Sequence, residues 1–178
     1  MKKTIAIMSL LLAVACKENS NPVDTSVPDI PLAKLRINEV QAKGSDFINE
    51  FGKDEDWVEI YNPLSEAVVL PANNIYFSDD VAEPTKYKLT KEMTIEPNGY
   101  LAVFCDDSNR VQTYIHTNFK LSATGESFVI YYKDDKTNYI IDQITFPEQT
   151  GEFSYGRIPD GGSTWDWLIP TALESNKK

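Results

Sequence analysis

Positive charge is scarce in this chain. Seventeen lysines and arginines stand against 27 aspartates and glutamates, a formal net charge of −10 over 178 residues. Phosphate backbones are held mainly by Lys and Arg that neutralise them, so nucleic acid is excluded as a partner, and anionic lipid headgroups are repelled for the same reason. Histidine is scarcer still, with His116 alone, and the two cysteines are Cys16 and Cys105. One histidine without a cysteine pair excludes a structural zinc site. Any Ser-His-Asp or Cys-His chemistry would have to run through His116, and no Gly-x-Ser-x-Gly elbow occurs. No segment carries a 3.6-residue apolar stripe and no repeat of fixed period is present. The apolar run from Ile5 to Ala15 is too short to span a bilayer, which takes roughly 20 residues.

That run is informative for where it sits. Lys2 and Lys3 precede it, and Ala13-Val14-Ala15 lead directly into Cys16, which is the layout of a secretory signal. Small residues followed at once by cysteine resemble the lipobox of bacterial lipoproteins, although Ala13 stands where leucine is most common. The resemblance implies residues 1–15 as signal peptide, cleavage before Cys16, diacylation of its thiol and an outer-membrane address. Cleavage would remove Lys2 and Lys3 and leave 15 basic against 27 acidic residues, a net charge of −12. Membrane attachment would then come from acyl chains, each buried methylene contributing about 0.8 kcal/mol. Lys17-Glu18 is similar to the signals that send some Gram-negative lipoproteins to the cell surface. With Cys16 lipidated only Cys105 remains, so the domain holds no internal disulfide.

Residues 16–34 read as the lipidated cysteine and a flexible tether, with three prolines, many small polar residues and no apolar period. Residues 35–176 read as one domain of common size. Its pattern is short β-branched and aromatic runs cut by turn signals, which predicts an all-β sandwich or barrel. Leu35–Val40 and Trp57–Tyr61 are predicted strands, and Pro97-Asn98-Gly99 a turn into Tyr100–Cys105, a strand apolar on both faces. Phe128–Tyr132 and Tyr139–Phe146 read as a hairpin.

The order of the short motifs adds to this. L-R-I-N-E-V (35–40), D-W-V-E-I-Y-N-P (56–63), P-N-G-Y-L-A-V-F (97–104), F-K-L-S-A-T-G-E (119–126), I-D-Q-I (141–144) and F-S-Y-G-R-I-P-D-G (153–161), followed by Trp165, together resemble the lamin-tail domain family. The resemblance covers nearly all of residues 35–170 and implies an immunoglobulin-like β-sandwich. Nuclear members of that family bind proteins and DNA, but the acidic charge of this chain leaves no basis for the DNA part. The signature residues have plain structural roles. Trp57, Ile60, Val103 and Phe146 are expected between two sheets, and Gly99, Gly125 and Gly161 at backbone angles other residues resist. Arg157 is expected to pair with a carboxylate such as Glu39 or Glu59.

Few residues remain for chemistry. His116 is expected in a loop before a strand at Phe119, and Cys105, alternating with Leu101 and Val103, on an apolar strand face as an inert thiol. Asp54-Glu55-Asp56, Asp79-Asp80, Asp106-Asp107 and Asp134-Asp135 fall at strand ends or loops. Two such groups converging would make a calcium site or a metal-dependent hydrolase, although none has the D-x-D-x-D-G spacing. Trp165 and Trp167 are the candidate ligand surface, Trp167 the more exposed of the two. The sequence thus points to a lipid-anchored, non-enzymatic envelope module without a cofactor that binds a protein or a glycan. The alternative is a calcium-type hydrolase or a calcium-stabilised structural module built on the acidic loops.

Overall fold

The computed structural model describes residues 29–44 and 47–178. The signal peptide, Cys16 and most of the tether lie outside them. Packing begins before residue 35, because Pro31–Lys34 form a 3-10 turn that buries Leu32 and Ala33 in the core.

Almost everything else is strand. In chain order these are β1 (Arg36–Gln41), β2 (Trp57–Tyr61), β3 (Val68–Leu70), β4 (Ile75–Ser78), β5 (Tyr87–Lys88), β6 (Met93–Ile95) and β7 (Tyr100–Phe104). They continue with β8 (Arg110–Val111), β9 (Ile115–His116), β10 (Glu126–Lys133), β11 (Asn138–Phe146), β12 (Ser154–Arg157) and β13 (Trp165–Leu168). One seven-stranded sheet runs β13-β12-β1-β2-β7-β9-β8, a four-stranded sheet runs β11-β10-β4-β5, and β3 pairs with β6. This is an all-β arrangement of several sheets, consistent with a β-sandwich. The β10–β11 hairpin and the central, doubly apolar β7 stand where the sequence pattern puts them. The core joins Ile37, Val40, Val58, Ile60, Leu101 and Val103 of the large sheet to Phe77, Phe128, Ile130 and Phe146 of the smaller one.

Two β-bulges re-aim polar side chains. In β1 the pairing with β2 shifts between Ile37 and Glu39, and in the β10–β11 ladder it shifts beside Ile130. A bulge adds one residue to a strand and turns its neighbours. The first turns both Asn38 and Glu39 away from the core. The second lets Asp142 reach the other sheet, where it accepts from Ile37 N at 2.9 Å and from Arg157 Nη2 at 3.1 Å. Arg157 also donates from Nε to Ile37 O at 2.7 Å and lies over the Trp165 ring at 4.6 Å. Its partner is therefore Asp142, and the expected pairing with Glu39 or Glu59 is corrected. Those two acids sit on the opposite face of the sheet from the guanidinium.

Two further expectations are corrected. Ile60, Val103 and Phe146 do fill the space between the sheets, but Trp57 does not. Strand side chains alternate faces, so once Val58 and Ile60 point inward, Trp57 points out. There it joins a second cluster with Phe104 and Ala102, packed against Phe47, Tyr114, Ala172 and Leu173. At the turn before β7 it is Asn98, φ 51°, that takes the left-handed conformation. Gly99 is needed because a Cβ there would stand 2.9 Å from Glu96 O.

Candidate functional site

The outer face of the seven-stranded sheet is covered by two segments, the β1–β2 connection and residues 169–176. Beneath them lie two polar clusters. At one end His116, fully buried in β9 and not in a loop as expected, points Nδ1 at Asp106 Oδ2 (2.8 Å) and Nε2 at Glu50 Oε2 (3.2 Å). Phe104 stacks on the ring at 5.4 Å and Phe51 tilts against it. Burial pushes the Glu50 carboxyl up, yet the Tyr114 N–H and His116 together hold it below its ordinary value. Both imidazole nitrogens are thus engaged by carboxylates, and the ring ties the loop after β7 to the segment that carries Glu50. Cys105 lies in the core beside Leu101 and Val103, and burial pushes its thiol well up, which keeps it the inert hydrophobe expected.

In the centre, Glu39 and Glu59 stand opposite each other on neighbouring strands, both fully buried, with Asp160 close by. Asn38 Nδ2 donates to Glu59 Oε1 (2.9 Å) and Asp160 Oδ1 (3.0 Å), while its Oδ1 accepts from Gly161 N. The C-terminal segment supplies most other donors. Leu173 N reaches Glu59 Oε2 at 2.6 Å, Thr171 N reaches Glu39 Oε1 at 3.1 Å, and Asn176 N reaches Asp160 Oδ1 at 3.0 Å. Ser154 Oγ also donates to Glu39, and Tyr100 OH to Asp160 Oδ2 at 2.8 Å.

The Thr171 hydroxyl lies between Glu39 and the Asn176 side chain. Thr171 Oγ1 lies 2.8 Å from Glu39 Oε2 and 2.9 Å from Asn176 Oδ1. The Asn176 amide nitrogen donates to Asn38 O and Arg157 O, so the one Thr171 hydroxyl proton is shared between the Glu39 and Asn176 oxygens. Burial raises the Glu39 carboxyl, and burial with the neighbouring Glu39 and Asp160 charges pushes Glu59 up to about 8. Asp160 resists the same burial penalty because four donors, Ser175, Asn38, Asn176 and Tyr100, hold it below its ordinary value.

The acidic loops do not converge. Glu55 pairs with Lys120 at 3.2 Å and Asp79 with Lys86 at 2.6 Å. Asp80 and Asp134 accept the backbone N–H groups of their own turns, the ordinary use of Asp in a turn. Asp56 accepts from Leu121 N, and burial pushes it up to about 6. Among the described residues no three His, Cys, Asp or Glu side chains are placed to hold a metal ion. The trio that does gather, Glu39, Glu59 and Asp160, comes from outside those loops and is closed by hydrogen bonds.

The aromatic candidates are brought together. Trp165 and Trp167 lie on one face of β13, the free edge of the large sheet, and Tyr155 of β12 contacts both rings, at 5.4 and 5.2 Å. Trp165 is partly buried against the core, while Trp167 is 42 % exposed, as is Phe153. Those two exposed rings line one cavity of about 290 Å³ with Glu148 and Thr150. Phe153 carries a weaker sequence signal, its position directly before β12 and two residues before Tyr155. The backbone edge itself is blunted, because Asp166 Oδ1 takes the Trp167 N–H at 2.9 Å. No family model matches the chain, and no curated protein matches it in sequence.

Proposed function

We propose that the protein is a lipid-anchored, non-enzymatic binding or scaffolding module of the bacterial outer membrane. In this reading a lamin-tail-like, immunoglobulin-like sandwich stands on a flexible tether behind an acylated Cys16 and engages a protein or glycan of the envelope. The observation that carries it is the exposed pair Trp167 and Phe153 beside the free edge of the large sheet. Large aromatics left at a concave surface are the usual anchors of recognition. Support for a non-enzymatic role comes from the burial of His116 and Cys105, the two side chains best suited to nucleophilic chemistry.

Two variants test the reading. Cys16→Ala is expected to move the protein from the membrane to the soluble fraction of cells, and continued membrane retention would reject the anchor. Trp167→Ala with Phe153→Ala in the soluble protein is expected to lower retention on a purified envelope fraction at least tenfold. Retention equal to wild type would reject the aromatic surface.

A further inference from the structure

A second cavity, of about 360 Å³, borders the same two stretches of chain as the Trp167 cavity, residues 148–153 and 167–170. Its walls include the carboxylates of Asp54 and Glu152, the apolar Ile169 and Pro170, and Gln41. The acids here have no cation of their own among the described residues. Glu55, Asp79, Asp142 and Asp166 each hold a lysine or arginine, whereas Asp54 and Glu152 have neither an ion pair nor a side-chain hydrogen bond among the described residues. Gln41 is 1 % exposed, and its Oε1 has no hydrogen-bond partner among the described residues. A buried acceptor without a donor is costly, and an incoming N–H relieves it.

We propose that the two cavities together bind an extended basic segment of a partner protein. A large apolar side chain seats against Trp167 and Phe153, and a neighbouring lysine or arginine enters between Asp54 and Glu152. This deepens the binding reading above and rests on it. Lysine carries three donors and arginine five, enough for two carboxylates and the Gln41 oxygen, while Ile169 and Pro170 cover the aliphatic stem. The chain's negative charge steers a basic partner in and anionic ones away. Pairing onto β13 is not the mode, because Asp166 already occupies the outward Trp167 N–H. A neutral sugar would stack on Trp167 but leave both carboxylates without a counter-charge.

The test applies the full-length protein in detergent to an array of decapeptides. One Arg or Lys and one Leu, Phe or Trp are set at every spacing in a Gly-Ser background, with matched peptides carrying Glu in place of the basic residue and a glycan array alongside. Basic–apolar peptides are expected to bind at least tenfold more strongly than their Glu counterparts, and binding is expected to fall as salt rises. Asp54→Asn with Glu152→Gln, and separately Trp167→Ala, are each expected to lose tenfold or more while keeping the wild-type melting temperature. Equal binding of the Arg and Glu peptides, or full binding by the Asp54/Glu152 variant, overturns the inference. Trp167-dependent glycan binding without basic-peptide binding overturns it and leaves the binding-module reading standing. No Trp167-dependent binding on either array overturns both.

Discussion

Two carboxylate-rich regions lie on this domain, one under the C-terminal segment and one beside the β13 edge, and they differ in where their hydrogen bonds go. Around Glu39, Glu59 and Asp160 the carboxyl oxygens are met by donors from Asn38, Ser154, Tyr100 and residues 171–176. Beside Gln41, the Asp54 and Glu152 carboxylates meet none among the described residues. The first region is built to hold the protein together, because closing a buried polar network is what makes it stable. The second leaves its acceptors open to something else. A dense group of acids is thus a poor guide to a site until its donors are counted.

The contrast breaks most visibly at Asn38. Its side chain serves Glu59, Asp160 and Gly161 at once, so Asn38→Ala is expected to cost about 3–4 kcal/mol in urea denaturation, from several buried groups left unsatisfied. A loss under about 1 kcal/mol would mean that water replaces the amide and the centre is not closed.

A change of pH acts on the same centre with a smaller effect. Glu59 and Glu39 have folded-state values raised above their ordinary 4.5, Glu59 to about 8. Both contributions are therefore fully present below about pH 4.5 and fall as pH rises, that of Glu59 being lost through about 8. Asp56, raised to about 6, acts in the same direction at the lower end of that window. Thermal melts from pH 5 to pH 9 are expected to show a loss of about 2 kcal/mol, roughly 6–10 °C. A flat profile would mean that the pair is ionised throughout.

Smaller still is Glu39→Gln. The amide keeps a polar group beside Thr171 Oγ1 with no charge to bury, so stability at pH 5 is expected within about 1 kcal/mol of wild type, and above wild type at pH 9. Destabilisation of several kcal/mol at pH 5 would place a charge on Glu39. The smallest effect is expected at the edge, where Asp54→Asn with Glu152→Gln should leave the melting temperature within about 2 °C, since neither carboxylate is paired. A larger drop would make that region structural as well and erase the contrast.

Much of the fold was legible in advance. The strands at Trp57–Tyr61 and Tyr100–Phe104 and the β10–β11 hairpin follow from apolar alternation and turn residues. Both bulges also leave a mark, two polar residues between apolar ones, in Ile37-Asn38-Glu39-Val40 and Ile141-Asp142-Gln143-Ile144. The first bulge puts Asn38 and Glu39 together on the outer side of the large sheet, and the second aims Asp142 at the other sheet. Trp57 shows parity outranking hydrophobicity, because Val58 and Ile60 take the inward face and leave it the outward one.

The central acids were not legible as a group. Glu39, Glu59 and Asp160 stand far apart in the chain, and residues 169–176 carry no periodic signal that marks them as a cover. Sequence alone determined the strand content, the balance of charge, the scarcity of histidine and cysteine and the exposure of Trp167 relative to Trp165. Those are properties of composition and of neighbours along the chain, where burial follows a local period. Only the tertiary structure decided which carboxylates meet donors and which stay open. A hydrogen bond depends on distance and angle between groups brought together across sheets, and no local pattern encodes where the donor from a distant segment arrives.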